Sequence, residues 1–224
     1  MTWPEVAARS GSTVLAIPVG STEQHGPHLP LSTDTDVAVA LADRLASARA
    51  DVLAAPPVSY GSSGEHAGFP GTLSIGRDAL ELVLVELGRS ADAFAGIVFV
   101  SAHGGNADPV TKAVRRLAYE QRSVRAWHPG RAATGGLDAH AGYTETSVLM
   151  ALSPASVRPE SAAAGGIDVD ATPANLLARL RAGGVASISP NGVLGDPQAA
   201  SAAAGRRLLD GWLSDLLGSL DGWP

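Results

Sequence analysis

Four short runs of apolar residues punctuate the chain: Thr13 to Val19, Val52 to Ala55, Ile97 to Ser101 and Val124 to Trp127. They are continuous rather than alternating, which predicts strands of a parallel sheet covered on both faces. Between them the apolar residues return at helical spacing. Val37, Leu41 and Leu45 mark one face, and Leu80, Val83, Leu84 and Leu87 mark another. Asp108 followed by Pro109 signals a helix start, with Val110, Ala113, Val114 and Leu117 as its apolar stripe. Thr172–Pro173 opens a further helix, and Leu209, Trp212, Leu213 and Leu216 define the last one. Strand and helix therefore alternate. The expected fold is α/β, a three-layer α/β/α arrangement with a mainly parallel central sheet and right-handed crossovers. No linker or repeat interrupts the pattern, so residues 1–224 read as one domain.

Composition removes several kinds of chemistry. With no cysteine, thiol nucleophiles, disulfide frameworks and thiolate metal sites are excluded. A net charge of −6, from 22 acidic and 16 basic residues, argues against a nucleic-acid partner. No apolar run is long enough to span a bilayer, and no basic segment leads from Met1 into an apolar stretch, so no membrane partner and a cytoplasmic location are expected. Charged residues are 17% of the chain, sparse for a soluble surface, which suggests a homo-oligomer; the apolar last helix is a candidate contact. Any catalysis must use His, Asp, Glu, Ser or a bound metal.

The polar and glycine-rich loops supply that chemistry. Val19 to Asp36, Ser59 to Gly76, Ala102 to Asp108 and Pro129 to Tyr143 each follow a predicted strand, on the edge where open α/β sheets hold ligands. Five of the six histidines (His25, His28, His66, His103 and His140) lie in these loops, and His128 closes the fourth strand. In the first loop, Glu23 and His25 are two apart, so in extended backbone they project to one side and can approach one ion. Asp34 stands where a helix begins; it either bridges two ions or caps that helix. The third loop, Ser101-Ala-His-Gly-Gly-Asn106, puts His103 at a strand tip, with Gly104 and Gly105 allowing close approach to the backbone. The N–H groups of the next helix can receive developing negative charge. In the fourth, His140-Ala-Gly-Tyr-Thr-Glu145 offers a general acid/base and a ligand, Glu145 being favoured in a first helical turn on dipole grounds as well. Five candidate metal ligands result: Glu23, His25, Asp34, His103 and Glu145, enough for two ions with open positions. Mixed imidazole and carboxylate donors suit Fe(II), Zn or Mn alike. No Gly-x-Ser-x-Gly elbow supports a serine nucleophile.

These segments, Ser21-Thr-Glu-Gln-His-Gly-Pro-His-Leu-Pro30, Asp34, His103-Gly-Gly-Asn106 and His140-Ala-Gly-Tyr-Thr-Glu145, resemble the creatininase family of metal-dependent amidohydrolases. Two more stretches, Gly61-Ser-Ser-Gly-Glu-His-Ala-Gly-Phe-Pro-Gly-Thr-Leu-Ser-Ile75 and Ser189-Pro-Asn-Gly-Val-Leu-Gly-Asp-Pro197, are similar to the branch of that family that serves mycofactocin biosynthesis. The resemblance implies two divalent ions per subunit, held by Glu23, His25, Asp34 and His103 with Asp34 bridging, and His140 as the proton-transferring residue. Creatininases proper carry a tyrosine and a ligating glutamate where this chain has Gly104 and Gly105, which favours Glu145 at the second ion. The implied activity is removal of a C-terminal Val-Tyr dipeptide from a modified precursor peptide by metal-activated water, in a homo-oligomer that is commonly a hexamer. Glu65 and His66 join Gly104 and Gly105 as expected substrate contacts, and His28 as an outer contact of the site. Arg131 is a weaker candidate for the peptide's terminal carboxylate, and His128 reads as structural. The alternatives are a small-molecule amidohydrolase acting on a cyclic amide or formamide, and a metal-dependent assembly or carrier module without catalysis.

Overall fold

A computed structural model describes residues 1–130, 138–166, 178–180 and 182–224. The start of the helix expected from Thr172–Pro173, and Arg131, lie outside the described residues, as do residues 131–137 of the glycine-rich fourth loop. Four strands form the sheet: β1 (Val14–Val19), β2 (Val52–Ala54), β3 (Gly96–Ser101) and β4 (Val124–Trp127). They pair in the order β2-β1-β3-β4, and every pairing is parallel. All of β3 is buried, as its unbroken apolar run requires, whereas the edge strand β4 is only partly covered.

The helices are α1 (Trp3–Ala7), α2 (Thr33–Ala48), α3 (Arg77–Ser90), α4 (Ala107–Tyr119), α5 (Tyr143–Leu152) and α6 (Ala202–Ser219). The short α1 carries no apolar stripe. It is nucleated by Pro4 in its first turn and a capping box between Thr2 and Glu5. Because successive strand residues face opposite ways, the sheet splits its side chains between two cores. Val14, Ala16, Val98 and Val100 pack with Leu41 and Leu45 of α2, Leu149 of α5 and Leu209 of α6. Ile17, Val19, Ile97 and Phe99 pack on the other side with Leu80 and Leu84 of α3 and Val110 and Leu117 of α4. This is the expected three-layer α/β/α sandwich.

Two expectations are corrected. In α3 the inward face is Leu80, Leu84, Val85 and Gly88, while Val83 is 38% exposed. Gly88 sets this face, because a Cβ there would strike the side chain of Leu117, so the two helices close on the glycine. In α6 the apolar residues do not form an outer contact surface; Leu209, Trp212 and Leu216 are buried against α5 and α2 inside the same chain. Among the described residues, no helix is long and apolar enough to cross a membrane.

The order of strands positions the site. From β1 the chain passes through α2 to β2 on one side, then through α3 to β3 on the other. The loops leaving β1 and β3 therefore part at neighbouring strand tips, and the crevice between them is where doubly wound sheets hold ligands.

Candidate metal centre

The crevice is assembled by short polar contacts. Beyond β1, Gly20 lets the start of α2 fold back over the strand tip, since a Cβ there would overlap Thr35. Thr35 Oγ1 then donates to the carbonyl of Ser21 at 2.9 Å, and Ser21 Oγ donates to Oδ2 of Asp34 at 2.6 Å. Ser32, not Asp34, occupies the N-cap of α2, which removes the capping alternative and leaves Asp34 in the first turn facing the crevice. Buried Asn106 joins three loops: its Oδ1 accepts from Ser62 N–H and its Nδ2 donates to the Gly20 carbonyl, both at 2.9 Å. Gly61 leaves room for that amide, as a Cβ would come within 2.7 Å of its oxygen.

Five predicted ligands converge. Donor atoms of Glu23, Asp34 and His103 all lie within 4.8 Å of one another, as do those of His25, Asp34 and Glu145. Asp34 belongs to both groups. Glu23, His25 and His140 form a third set by the same measure. His25 Nδ1–H donates to the carbonyl of Glu23 at 3.1 Å, leaving Nε2 directed at Asp34 Oδ1, 3.3 Å away, and Glu145 Oε2, 3.9 Å away. A backbone carbonyl holding one ring nitrogen is the usual way a metal-binding imidazole is oriented. His103 Nδ1 is 3.3 Å from Asp34 Oδ2, and its Nε2 is 3.1 Å from Glu23 Oε2. Glu145 accepts a 2.5 Å hydrogen bond from Ala141 N–H.

The electrostatics are those of a site built for cations. Burial raises Glu23 to about 7, against the pull of His103. Burial opposes charge on His25 and His103, yet the surrounding carboxylates, chiefly Asp34 and Glu23 respectively, push them up to about 9 and about 10. Burial also opposes charge on Asp34, but His25 and His103 hold it well below the usual carboxylate range. Burial raises Glu145. Both oxygens of Glu23 and Nε2 of His25 are buried without a hydrogen-bond partner. Buried polar atoms are rarely left so, and three of them aimed into one cluster of two histidines and three acids fit divalent cations.

The remaining predicted residues take different places. Gly104 and Gly105 begin a tight helical turn leading into α4 and line a cavity of about 390 Å³ with Asp34, His103, His140 and Glu145. Glu65 sits at its rim, 28% exposed, with Oε1 3.7 Å from His103 Nε2. Gly105 has to lack a side chain, because a Cβ would come within 2.5 Å of that oxygen. His66 is largely buried but lines the same cavity, with Nε2 3.3 Å from Glu23 Oε1. His140 is buried with its ring centroid 4.3 Å from that of His25. Burial, with the nearby histidines, lowers His66 to about 3 and His140 well below its ordinary value. His28 is turned away and pairs with Thr146 Oγ1 at 2.9 Å, tying its loop to α5. His128 lines the cavity. Sequence reasoning passed over Gln24, Ser21 and Asn106. Alternation gave the only signal for Gln24, since it must point opposite to Glu23 and His25.

The model of the family described as creatininase (creatinine amidohydrolase) matches residues 1–220. The chain belongs to the creatininase family. Within it, the chain is 51% identical over 201 residues to the mycofactocin precursor peptide peptidase of Mycolicibacterium smegmatis, covering 87% of this chain and 79% of that one. It is 46% identical to the protein of the same name from Mycobacterium ulcerans, covering 99% of this chain and 86% of the relative. A solved creatininase variant of Zn–Zn type superposes with a TM-score of 0.78 at 23% identity, covering 98% of this chain and 95% of that one; this likeness shows the fold. As a creatininase-family protein, the chain is a metal-dependent hydrolase.

Proposed function

We propose that the protein is a mycofactocin precursor peptide peptidase that removes the C-terminal Val-Tyr dipeptide from the modified precursor. The observation that carries this reading is the cluster itself: two ligand groups sharing Asp34, on a chain 51% identical to a peptidase of that name. Glu23, Asp34 and His103 would hold one divalent ion and His25, Asp34 and Glu145 a second. The donor set accepts Fe(II), Zn or Mn, and a Zn–Zn creatininase supports two ions. Ions so held supply Lewis acidity and make water acidic enough to lose a proton near neutral pH.

The chain's own residues do the rest. His140, beside His25 on the cavity wall, takes the proton of the attacking water and returns it to the nitrogen of the leaving dipeptide, so its charge is restored at the end of the cycle. The backbone N–H groups of Gly104 and Gly105, at the head of α4, receive the oxyanion; nothing stands within 4 Å of a Cβ built on Gly104, so a substrate can reach the backbone. Glu65 at the rim contacts the peptide. The cavity, about 390 Å³, lies within the range of roughly 300–1,000 Å³ common for small-ligand sites, and Val185, Leu194 and Trp212 give it an apolar wall. Oligomerisation into a hexamer would use exposed Leu31, Leu73 and Ile75 rather than α6.

Mass spectrometry of metal-loaded protein with the modified precursor tests this. Dipeptide loss is expected, and His140→Ala should reduce its rate by about 10²–10⁴-fold with metal content retained. Opening of a lactam or formamide without dipeptide release would overturn the peptidase reading.

A further inference from the structure

Gln24 lies between His66 and His140, two histidines outside the set of five predicted ligands. The direction of its carboxamide is fixed by two backbone groups. Oε1 accepts from Gly26 N–H at 2.8 Å, and Nε2 donates to the Gly192 carbonyl at 3.1 Å. An N–H only donates and a carbonyl only accepts, so the amide cannot be reversed. The clasp is closely built. Gly26 and Gly192 both have left-handed backbone, with φ of 64° and 78°, and a Cβ on Gly192 would overlap Oε1 of Gln24.

With one Nε2 hydrogen on Gly192, the other points to Nδ1 of His66, 2.8 Å away. That nitrogen must accept, so the ring hydrogen of His66 is on Nε2, the atom 3.3 Å from Glu23 Oε1. The main chain of Gln24 settles the second ring. Its carbonyl oxygen is 2.7 Å from Nε2 of His140, which must therefore donate, and Nδ1 is left bare, 3.8 Å from Glu23 Oε1. Nε2 of Gln24 and Nε2 of His140 approach to 3.0 Å, but both are donors and the contact carries no hydrogen bond.

We propose that Gln24 is a positioning residue that sets where the hydrogens of His66 and His140 reside. Its side chain puts the hydrogen of His66 on Nε2, the ring nitrogen 3.3 Å from Glu23 Oε1, and its carbonyl keeps His140 Nδ1 open to take and return a proton. His66, on the cavity wall, is thereby fixed in one tautomer beside the Glu23 carboxylate. This rests on the hydrolase reading above for its effect on turnover, but the hydrogen positions stand on the geometry alone.

Long-range nitrogen-15 correlation spectra of the full-length, Zn(II)-loaded protein read the hydrogen positions directly. Both His66 and His140 should carry hydrogen on Nε2. In Gln24→Glu an oxygen faces His66, whose Nδ1 must then carry a hydrogen, while His140, held by a main-chain carbonyl, keeps its pattern. Turnover of the modified precursor by Gln24→Glu should fall about 10–100-fold in kcat, with KM within about twofold and metal content unchanged. His66→Gln should give the same split should Gln24→Glu not fold. Hydrogen on Nδ1 of His66 in the unaltered protein would overturn the proposal, as would an unchanged kcat in both variants. If the hydrogens are as stated but no dipeptide is released by the unaltered protein, the peptidase reading fails and the positioning role in turnover falls with it, while the hydrogen assignment stands.

Discussion

At the residue scale, Asp34 carries the most weight because both ligand groups use it. Ser21 Oγ fixes one of its oxygens and two histidines face the carboxylate, so no other rotamer would serve both groups equally. Asp34→Asn should strip nearly all bound metal, whereas Glu145→Gln, which touches one group, should leave about one equivalent by elemental analysis. Equal losses in the two variants would contradict the shared role. The five ligand candidates were legible because histidines and carboxylates cluster in the segments that follow the strands, where open α/β sheets hold ligands. Gln24 and His66 were less so. A neutral amide has no ligand or acid–base signature, and its role depends on Gly192, 168 residues away.

At the scale of elements, one joint bears on the site and another on the helical layer behind it. Asn106 links the loops after β1, β2 and β3, so Asn106→Ala orphans a buried N–H and a buried carbonyl. Each should cost roughly 1–3 kcal/mol, visible as a lower urea midpoint; an unchanged midpoint would mean water replaces the amide. The second joint holds α3 to the end of α4, where Glu120 meets Arg89 at 2.5 Å and Arg122 at 2.7 Å. Arg89 above all holds the Glu120 carboxyl below its ordinary 4.5. A depressed folded value contributes stability that is present above pH 4.5 and lost as pH falls through the folded value. Glu120→Gln should therefore lower the thermal midpoint at pH 7, and the gap to the unaltered protein should close on acidification. A gap independent of pH would exclude this linkage. The helix-to-helix closeness at Gly88 was not legible, because it depends on where Leu117 arrives from another helix.

At the scale of the molecule, the site ties together loops that the sheet alone does not fasten. Divalent ions binding only the folded chain should stabilise it by about 4 kcal/mol at a free concentration a thousandfold above Kd. Chelation should lower the thermal midpoint, and re-addition of Zn(II) should restore it; a midpoint indifferent to chelator would argue against ligation by these loops. The alternation of strand and helix, the parallel sheet with both faces covered, and the chemical types of the ligands were determined by the sequence itself, because side-chain periodicity and donor chemistry are local properties. The order β2-β1-β3-β4, the sharing of Asp34, the inward turn of α6 and the contacts of Gln24 with His66 and His140 were decided only in the tertiary structure. Those features depend on which distant segments meet, and a contact between residues 24 and 192 leaves no periodic trace along the chain.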